Sequence, residues 1–266
     1  AIEARAIAWF ADQEDVLEVF RGHGKIYEYT AGQIYNMDWQ DVGKDGTERF
    51  IGKVASLALG YQGGAGAFLS MAALYGVVLE PDFVEGIVKA WRKKNANIKA
   101  FWYDLDRAAI KAVKHPGGWF PIPNGKVAFA CDKRRNFLYM RLPSGRSLMY
   151  FKPRLEIVAK DWGDVEQVTH EGFDRKRRWT RVQRYGGSWA ENAVQAYCRD
   201  LMYHSGLKLD SVGYPLVMTV HDEIVSDVPK GFGSFEEFRD IMCELPPWAE
   251  GLPVNAAGYE GFRFRK

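Results

Sequence analysis

Two acidic residues stand side by side in an otherwise apolar segment near the end of the chain. Residues 217–229 read VMTVHDEIVSDVP, in which His221, Asp222 and Glu223 interrupt a run that alternates between apolar and polar side chains. This alternation predicts a hairpin of two strands. Adjacent carboxylates at the tip of a buried hairpin would repel each other and lose solvation, so we expect a cation beside them. Asp222 is therefore a candidate metal ligand.

A second candidate site lies on a predicted helix with the sequence ERFIGKVASLALGYQGGAGAF. Arg49, Lys53, Leu57 and Tyr61 recur at steps of four residues, so they share one helix face. Two cations one turn apart repel each other unless an anion lies between them. A triphosphate would supply that anion, with arginine as a planar fork and lysine as a point charge. The alternative is an amphipathic helix with two solvated cations.

A basic run occupies residues 175–184, RKRRWTRVQR, and contains no acidic residue. Arg178 and Arg181 lie in this run beside Trp179, and Tyr185 follows it directly. Cations mixed with aromatic rings favour contact with a nucleic-acid backbone. A solvated, exposed face is the alternative interpretation of the same pattern.

Composition places few limits on function. Of the 266 residues, 47% are hydrophobic and 26% charged, as is usual for a soluble globular chain of one large or two modest domains. Neither a signal peptide nor an apolar run of the ~18 residues that a membrane span needs is present. The three cysteines are far apart, which predicts reduced thiols and a cytosolic setting.

The elements that must position these residues change in character along the chain. Periodicity predicts helices through the first 35 residues, a helix from its N-cap at Thr47 to about Tyr61, and two long helices over 82–115. Strands are predicted over 126–131, 136–142, 147–158 and 178–186. A helix from about Ser188, the hairpin, a helix over 234–245 and a last strand within 251–266 follow. This order predicts an α+β fold with two lobes.

Three segments together resemble the signature motifs of the family A (DNA polymerase I-like) DNA polymerases of the phage type. RFIGKVASLALGYQGG (49–64) is similar to the fingers-helix pattern R-x3-K-x3-(F/Y/L)-x3-Y, and TVHDEIVSDVP (219–229) to the palm motif with the metal-binding acid. AIEAR at the start resembles the end of the first palm motif, D-x-S-x-I-E-x-R. WAENAVQAYCRDLM (189–202) resembles the palm helix before the hairpin. The resemblance covers essentially the whole chain.

The resemblance implies an incomplete right-hand polymerase fold: a helical fingers lobe plus the C-terminal part of an antiparallel-sheet palm. Residues 1–8 would end the first palm motif, 9–170 would form the fingers, and 171–266 would form the palm with its catalytic motif. The expected reaction is the templated addition of dNMP from dNTP to a primer 3′-OH. The expected partners are therefore primer-template DNA and dNTP, with no membrane partner, in the cytoplasm of a bacterial host.

The resemblance also implies roles for the residues of the fingers helix. Arg49 and Lys53 would grip the phosphates of the incoming nucleotide. Leu57 would lie beside its sugar, at a position where most family members have Phe or Tyr. Tyr61 would abut the templating base pair.

Further roles implied by the resemblance lie outside that helix. Glu3 matches the acid that excludes a ribose 2′-OH, and Tyr27 falls where cellular members place a nucleotide-contacting His. Gln195 matches a reader of the primer-template minor groove. The basic run adds Arg178 and Arg181 as expected DNA contacts.

For the hairpin, the resemblance implies two Mg²⁺ ions bound by Asp222, with Glu223 as its acidic neighbour and His221 near the primer terminus. The family uses a second Asp, which in the pattern precedes the position of Ala1 by three residues. An upstream segment with that Asp and a thumb, on the same or a separate polypeptide, is therefore an expected partner.

Alternatives to a polymerase remain open at this stage. With one metal carboxylate, the chain could be a non-catalytic DNA- or nucleotide-binding module, or one subunit of a split polymerase. A metal-dependent phosphohydrolase built on the His-Asp pair would need further His ligands, and none of the five histidines stands at ligand spacing from another. That third interpretation also leaves the face of the fingers helix unexplained.

Overall fold

Helices form the first part of the chain. The computed structural model describes residues 2–160, 163–174 and 176–264, so Ala1 and Arg175, both within segments discussed above, lie outside the described residues. The helices are α1 (Ile2–Phe10), α2 (Glu14–Arg21), α3 (Ile26–Tyr35), α4 (Thr47–Ala58), α5 (Ala65–Leu74), α6 (Pro81–Lys94) and α7 (Ala96–Lys114). A 3-10 helix, Trp39–Asp41, lies between α3 and α4.

An antiparallel sheet follows α7, and its strands pair in chain order. They are β1 (Trp119–Pro121), β2 (Ala128–Asp132), β3 (Phe137–Arg141), β4 (Ser147–Lys160), β5 (Gly163–Phe173) and β6 (Trp179–Gln183). The predicted strands are confirmed as β2, β3, β4 and β6. The sequence did not predict β5, although it forms a long register with β4 from Leu155–Val168 to Lys160–Gly163.

The last part of the chain is a long helix with a separate hairpin. It consists of α8 (Gly186–Ser211), β7 (Leu216–Val220), β8 (Glu223–Ser226), α9 (Phe235–Cys243) and a 3-10 helix, Pro247–Ala249. The predicted last strand in 251–266 is wrong for the part that the structure describes, because residues 251–264 contain no strand. A strand needs a hydrogen-bonding neighbour, and β7 and β8 pair only with each other within the described ranges.

The ends of α4 also differ from the prediction. Thr47 is the first helical residue and Gly46 occupies the N-cap position, without a side-chain hydrogen bond. The helix ends at Ala58 rather than near Tyr61, because the chain turns through the glycine-rich segment that precedes α5. Tyr61 therefore lies beyond the helix on which its spacing had placed it.

The core is built where α1 and α7 meet α8. Phe10, Trp102, Trp189 and Tyr197 are all fully buried. The Tyr197 ring stacks on Trp9 at 5.0 Å and meets Phe10 edge-on at 4.9 Å. Because aromatic rings bury large apolar areas, this cluster fixes α1 against the middle of α8.

The sheet is attached to α8 at two places. The ring of Trp189 contacts Tyr150 of β4 at 4.8 Å and Phe129 of β2 at 5.4 Å. In the turn between β3 and β4, Arg146 donates a hydrogen bond from Nε to Asp200 of α8 at 2.7 Å. The sheet therefore packs directly against α8.

The observed mixture of helices and antiparallel sheet confirms the predicted α+β class. The expected boundary between residues 170 and 171 falls inside β5, so it would divide a continuous sheet. No helix within the described residues is long and apolar enough to cross a bilayer. Cys131, Cys198 and Cys243 are free thiols.

Helices α3 and α4 touch through their backbones at Gly52. A Cβ at this position would lie 2.1 Å from the carbonyl oxygen of Tyr27 and 2.9 Å from the amide nitrogen of Ala31. Neither backbone group can move without shifting its helix. Gly52 is therefore the residue that permits this crossing.

Substituting Gly52→Ala should lower the free energy of unfolding by about 1–3 kcal/mol, because the added methyl group overpacks the α3–α4 contact. Gly86→Ala is the matched control. Gly86 also lies within a helix, α6, but a Cβ there would meet nothing within 4 Å. The control should be neutral or stabilising by about 0.5–1 kcal/mol. The measurement is urea unfolding of both variants. Equal unfolding midpoints would contradict the inference that α3 and α4 are in close backbone contact at Gly52.

Candidate nucleotide and DNA site

The guanidinium of Arg49 lies between α4 and α3 with two defined neighbours. Its Nε donates a hydrogen bond to Oε1 of Glu28 at 2.7 Å. Its Cζ lies 5.5 Å from the ring centroid of Tyr27, which gives a cation–π contact. The structure thus brings Tyr27 and Arg49 together, as expected of two nucleotide contacts, and adds Glu28, which no sequence pattern had singled out.

Lys53 lies one turn further along α4 and has a different environment. Its Nζ is 4.5 Å from the ring centroid of Tyr75, the residue that follows α5. No carboxylate of the described residues lies within ion-pair distance of Lys53. Leu57, another turn along, is 44% exposed. The face predicted from the spacing therefore carries one neutralised cation, one cation without a counter-ion and an exposed apolar side chain.

Tyr61 and Glu3 meet although they are 58 residues apart. The Tyr61 hydroxyl donates to Oε2 of Glu3 at 3.4 Å. Burial raises the pKa of Tyr61 well above its usual range, and the negative charge of Glu3 raises it further. The phenol is therefore a neutral hydrogen-bond donor at any physiological pH.

The backbone around Tyr61 is fixed by three helices. The carbonyl oxygen of Gly60 accepts a hydrogen bond from Nε1 of Trp102 in α7 at 2.8 Å. Arg92 of α6 donates to the carbonyl oxygen of Gly63 at 3.0 Å. The amide of Gly187, in the first turn of α8, donates to the side-chain oxygen of Gln62 at 2.8 Å. The segment that carries Tyr61 is therefore tied to α6, α7 and α8.

The acidic pair lies at a tight hairpin turn. Val220 pairs with Glu223, so His221 and Asp222 form the two-residue connection between β7 and β8. His221 has φ +56°, the left-handed conformation that such turns require. The predicted hairpin is confirmed.

The expectation that this hairpin is buried is wrong. His221, Asp222 and Glu223 are exposed, as are Leu216, Val217 and Met218 of β7. Because water solvates both carboxylates, their repulsion does not by itself demand a cation in this arrangement. The exposed apolar side chains of β7 are instead typical of a strand that another element can cover.

Cys198 of α8 lies where the separate segments converge. Burial raises the pKa of its thiol to about 12, and the negative charges of Glu3 and Asp222 contribute in the same direction. The start of α1 and the turn after β7 therefore both approach the middle of α8. Gln195 is exposed one helical turn before Cys198, on the same side of the helix.

The described residues offer only part of a metal site. Among them, no group of three or more His, Cys, Asp or Glu side chains is placed to hold an ion. Asp222 and Glu223 are hard oxygen donors of the kind that Mg²⁺ prefers, and Mg²⁺ uses few protein ligands together with water or substrate oxygens. The donor chemistry fits Mg²⁺, and the number of donors is incomplete.

The two arginines expected to contact DNA are engaged within the sheet. Arg181 of β6 lies 3.8 Å from carboxylate oxygens of both Glu156 and Glu171. Arg178 donates a hydrogen bond from Nε to Asp174 at 2.9 Å. The contacts of both side chains stay within β4, β5, β6 and the β5–β6 turn.

The tip of the β5–β6 hairpin has a different surface. Phe173 and Trp179 are 67% and 55% exposed, and their rings meet edge-on at 5.1 Å. Lys176 and Arg177 lie in the turn and are exposed. This tip therefore presents two cations beside two exposed rings.

Sequence reasoning missed Glu28, Tyr75 and Cys198. Glu28 follows Tyr27 directly, but nothing in the sequence shows which helix faces it. Tyr75 carried no signal, since it lies beyond the predicted fingers helix. Cys198 could have been found from its spacing, because it follows Gln195 by one turn of a predicted helix.

A protein named DNA polymerase from Bacillus phage SP02 is 44% identical to this chain over all 266 residues. The chain spans 40% of the length of that relative. No protein-family model matches the chain.

Among solved structures, the chain resembles the POL domain of Pol1 from M. smegmatis, determined in a complex with DNA primer-template and dNTP. The TM-score is 0.54 with 14% sequence identity, over 97% of this chain and 37% of that one. At this identity the likeness shows the fold alone, and it agrees with the architecture described above. Over its whole length the chain is thus similar to part of a phage protein named DNA polymerase, and its fold is similar to that of a solved polymerase domain.

Proposed function

We propose that this chain supplies the nucleotide-binding helix and one metal carboxylate of a DNA polymerase that adds dNMP from dNTP to a primer 3′-OH. The observation that carries the proposal is the convergence of three distant segments on α8. Glu3 of α1 accepts a hydrogen bond from Tyr61, which follows α4. Both Glu3 and Asp222, which follows β7, lie close enough to Cys198 of α8 for their charges to raise its pKa. A templated reaction needs nucleotide, primer end and base pair at one place.

Under this proposal, the face of α4 binds the incoming nucleotide. Arg49 and Lys53 bind the triphosphate, with Tyr27 beneath the guanidinium and Leu57 beside the sugar. Tyr61 packs under the new base pair and donates a hydrogen bond to Glu3, which fixes the carboxylate where a 2′-OH would lie. Removing that hydrogen bond would leave Glu3 free to turn away.

The hairpin turn and α8 face the DNA in this proposal. His221 approaches the primer terminus, and the exposed Gln195 reads the minor groove. Asp222, with Glu223 beside it, would hold Mg²⁺. When bound, Mg²⁺ lowers the pKa of the primer hydroxyl and neutralises charge on the leaving phosphates. The remaining donors would come from the substrate and from a further carboxylate.

That further carboxylate would belong to a segment carrying the D-x-S pattern, together with a thumb. The greater length of the phage relative supports this partner. So does β7, whose apolar residues are exposed and whose outer edge has no pairing strand among the described residues. In this arrangement residues 1–8 and 171–266 contribute to the palm and 9–170 to the fingers, in the cytoplasm of a bacterial host.

A non-catalytic module is the second candidate. The incomplete donor set around Asp222 favours it, because one acidic pair without a partner does not make a two-metal site. In that case α4 would still bind dNTP and the chain would still bind DNA. Activity in the presence of the D-x-S segment distinguishes the two candidates.

Primer extension tests the proposal directly. With Mg²⁺ and four dNTPs, we expect extension when the D-x-S segment is supplied, and none by the chain alone. Asp222→Ala should abolish extension and leave DNA binding within about twofold, because it removes a metal ligand rather than a phosphate contact. Lys53→Ala should instead raise KM for dNTP.

Normal extension by the Asp222→Ala protein would contradict the metal assignment. DNA binding without extension in any mixture would favour the non-catalytic module. Lys89→Ala is a suitable control for Lys53→Ala, since Lys89 is an exposed lysine that pairs with Glu85 on its own helix.

We propose that the β5–β6 tip also contacts the DNA backbone, because its exposed Lys176 and Arg177 lie beside two exposed rings. We expect Lys176→Gln with Arg177→Gln to weaken DNA binding and to reduce the slope of log K against log salt by about 1–2. Arg181→Gln should leave that slope unchanged, because Glu156 and Glu171 already neutralise Arg181. The control is Lys89→Gln with Lys111→Gln, which removes the same charge from α6 and α7. An equal loss in the control would mean that only net charge matters.

A further inference from the structure

Glu28 holds the arginine that is proposed to bind the nucleotide. Its side chain is 13% exposed and that of Arg49 is 31% exposed, so the ion pair is partly removed from water. The carboxylate accepts a hydrogen bond from Nε at 2.7 Å, while the ring of Tyr27 lies 5.5 Å from Cζ. The guanidinium is therefore fixed along one edge and against one face.

The same contacts leave the other edge of the guanidinium available. Within the described residues, the two terminal amino groups of Arg49 make no hydrogen bond. Arginine binds phosphate through paired N–H groups, and the terminal pair is one of its two forked edges. Glu28 thus occupies the side edge and leaves the end edge for an anion.

The charge of Glu28 acts on the pair of cations in α4. Burial alone would raise the pKa of this carboxyl, but the hydrogen bond from Arg49, a backbone hydrogen bond and the charges of Arg49 and Lys25 together lower it. Glu28 is therefore ionised at neutral pH. It offsets the repulsion between Arg49 and Lys53, which lie one turn apart, and Lys53 has no carboxylate partner among the described residues.

We propose that Glu28 is a positioning residue for nucleotide binding: it orients Arg49 so that the terminal amino groups meet a phosphate of the dNTP. This inference rests on the proposed function, in which Arg49 and Lys53 bind the triphosphate. A free arginine side chain loses rotamer entropy when it is immobilised. Glu28 and Tyr27 impose that order before the nucleotide arrives, which improves affinity rather than the chemical step.

The test measures dNTP affinity by two routes. Isothermal titration with dATP and Mg²⁺ gives the dissociation constant for the chain, and primer extension with the D-x-S segment gives KM and kcat. We expect Glu28→Ala to raise the dissociation constant and KM about tenfold, with kcat changed less than about twofold. Glu28→Gln should recover most of the affinity, because its amide oxygen can accept the Nε hydrogen bond.

Two further variants separate this inference from the proposed function. Arg49→Ala should raise the dissociation constant more than Glu28→Ala, and the double variant should match Arg49→Ala, since Glu28 acts through Arg49. Glu18→Ala removes another glutamate paired with an arginine, Arg21 on α2, and should leave nucleotide affinity unchanged.

The outcomes are distinct. If Arg49→Ala does not weaken dATP binding, the proposed function of α4 is wrong. If Arg49→Ala weakens binding and Glu28→Ala does not, only the positioning role is wrong. Tighter binding by Glu28→Ala would also overturn it, because the carboxylate would then be competing with phosphate for Arg49.

Discussion

Close approach of helix backbones is the constraint on which this site depends. At Gly52, Gly186 and Gly187, a Cβ would lie between 2.1 and 2.3 Å from a backbone oxygen of Tyr27, Trp102 and Tyr61, respectively. Each of these oxygens belongs to a neighbouring segment, so a side chain would separate the two backbones. The first contact places Arg49 against Glu28 and Tyr27, and the other two place α8 against α7 and the Tyr61 segment. The close backbone contacts therefore fix the relative positions of the segments, and the side-chain contacts of the site follow from those positions.

The distribution of charge follows from these contacts. Arg49, Arg178 and Arg181 each have a carboxylate partner, so their charges are largely offset within the protein. Lys53 has none among the described residues, and it lies on the helix face proposed for the triphosphate. A basic residue in the sequence therefore does not by itself indicate a ligand, because an internal carboxylate can offset its charge. Arg178 and Arg181 of the basic run at 175–184 have such carboxylate partners in Asp174, Glu156 and Glu171.

Periodicity could predict elements whose pattern is local. The amphipathic repeats of α6 and α7, their break near Asn95 and the alternation of β6 all appear in the structure. β5 could not be predicted, because its polar residues become a strand only by pairing with β4. The last strand was predicted from alternation alone and is absent from residues 251–264, where no neighbouring strand is available. For the site, spacing placed Arg49, Lys53 and Leu57 on one helix face. The contact of Glu28 with Arg49 could not be predicted, because it depends on the crossing of α3 and α4, which no local pattern encodes.

Because the β7–β8 hairpin is exposed, metal binding at its turn depends on whether another strand covers β7. In the described chain, water solvates Asp222 and Glu223, and their mutual repulsion is screened. Under the proposed function, a strand docked beside β7 would exclude water from this turn and bring another carboxylate close to it. Both changes make ionised carboxylates less favourable without a cation. Docking and Mg²⁺ binding would then promote each other by the same free energy, because coupling between two binding events is reciprocal. The cation that we expected beside the adjacent acids from the sequence would then be needed only in the assembled site.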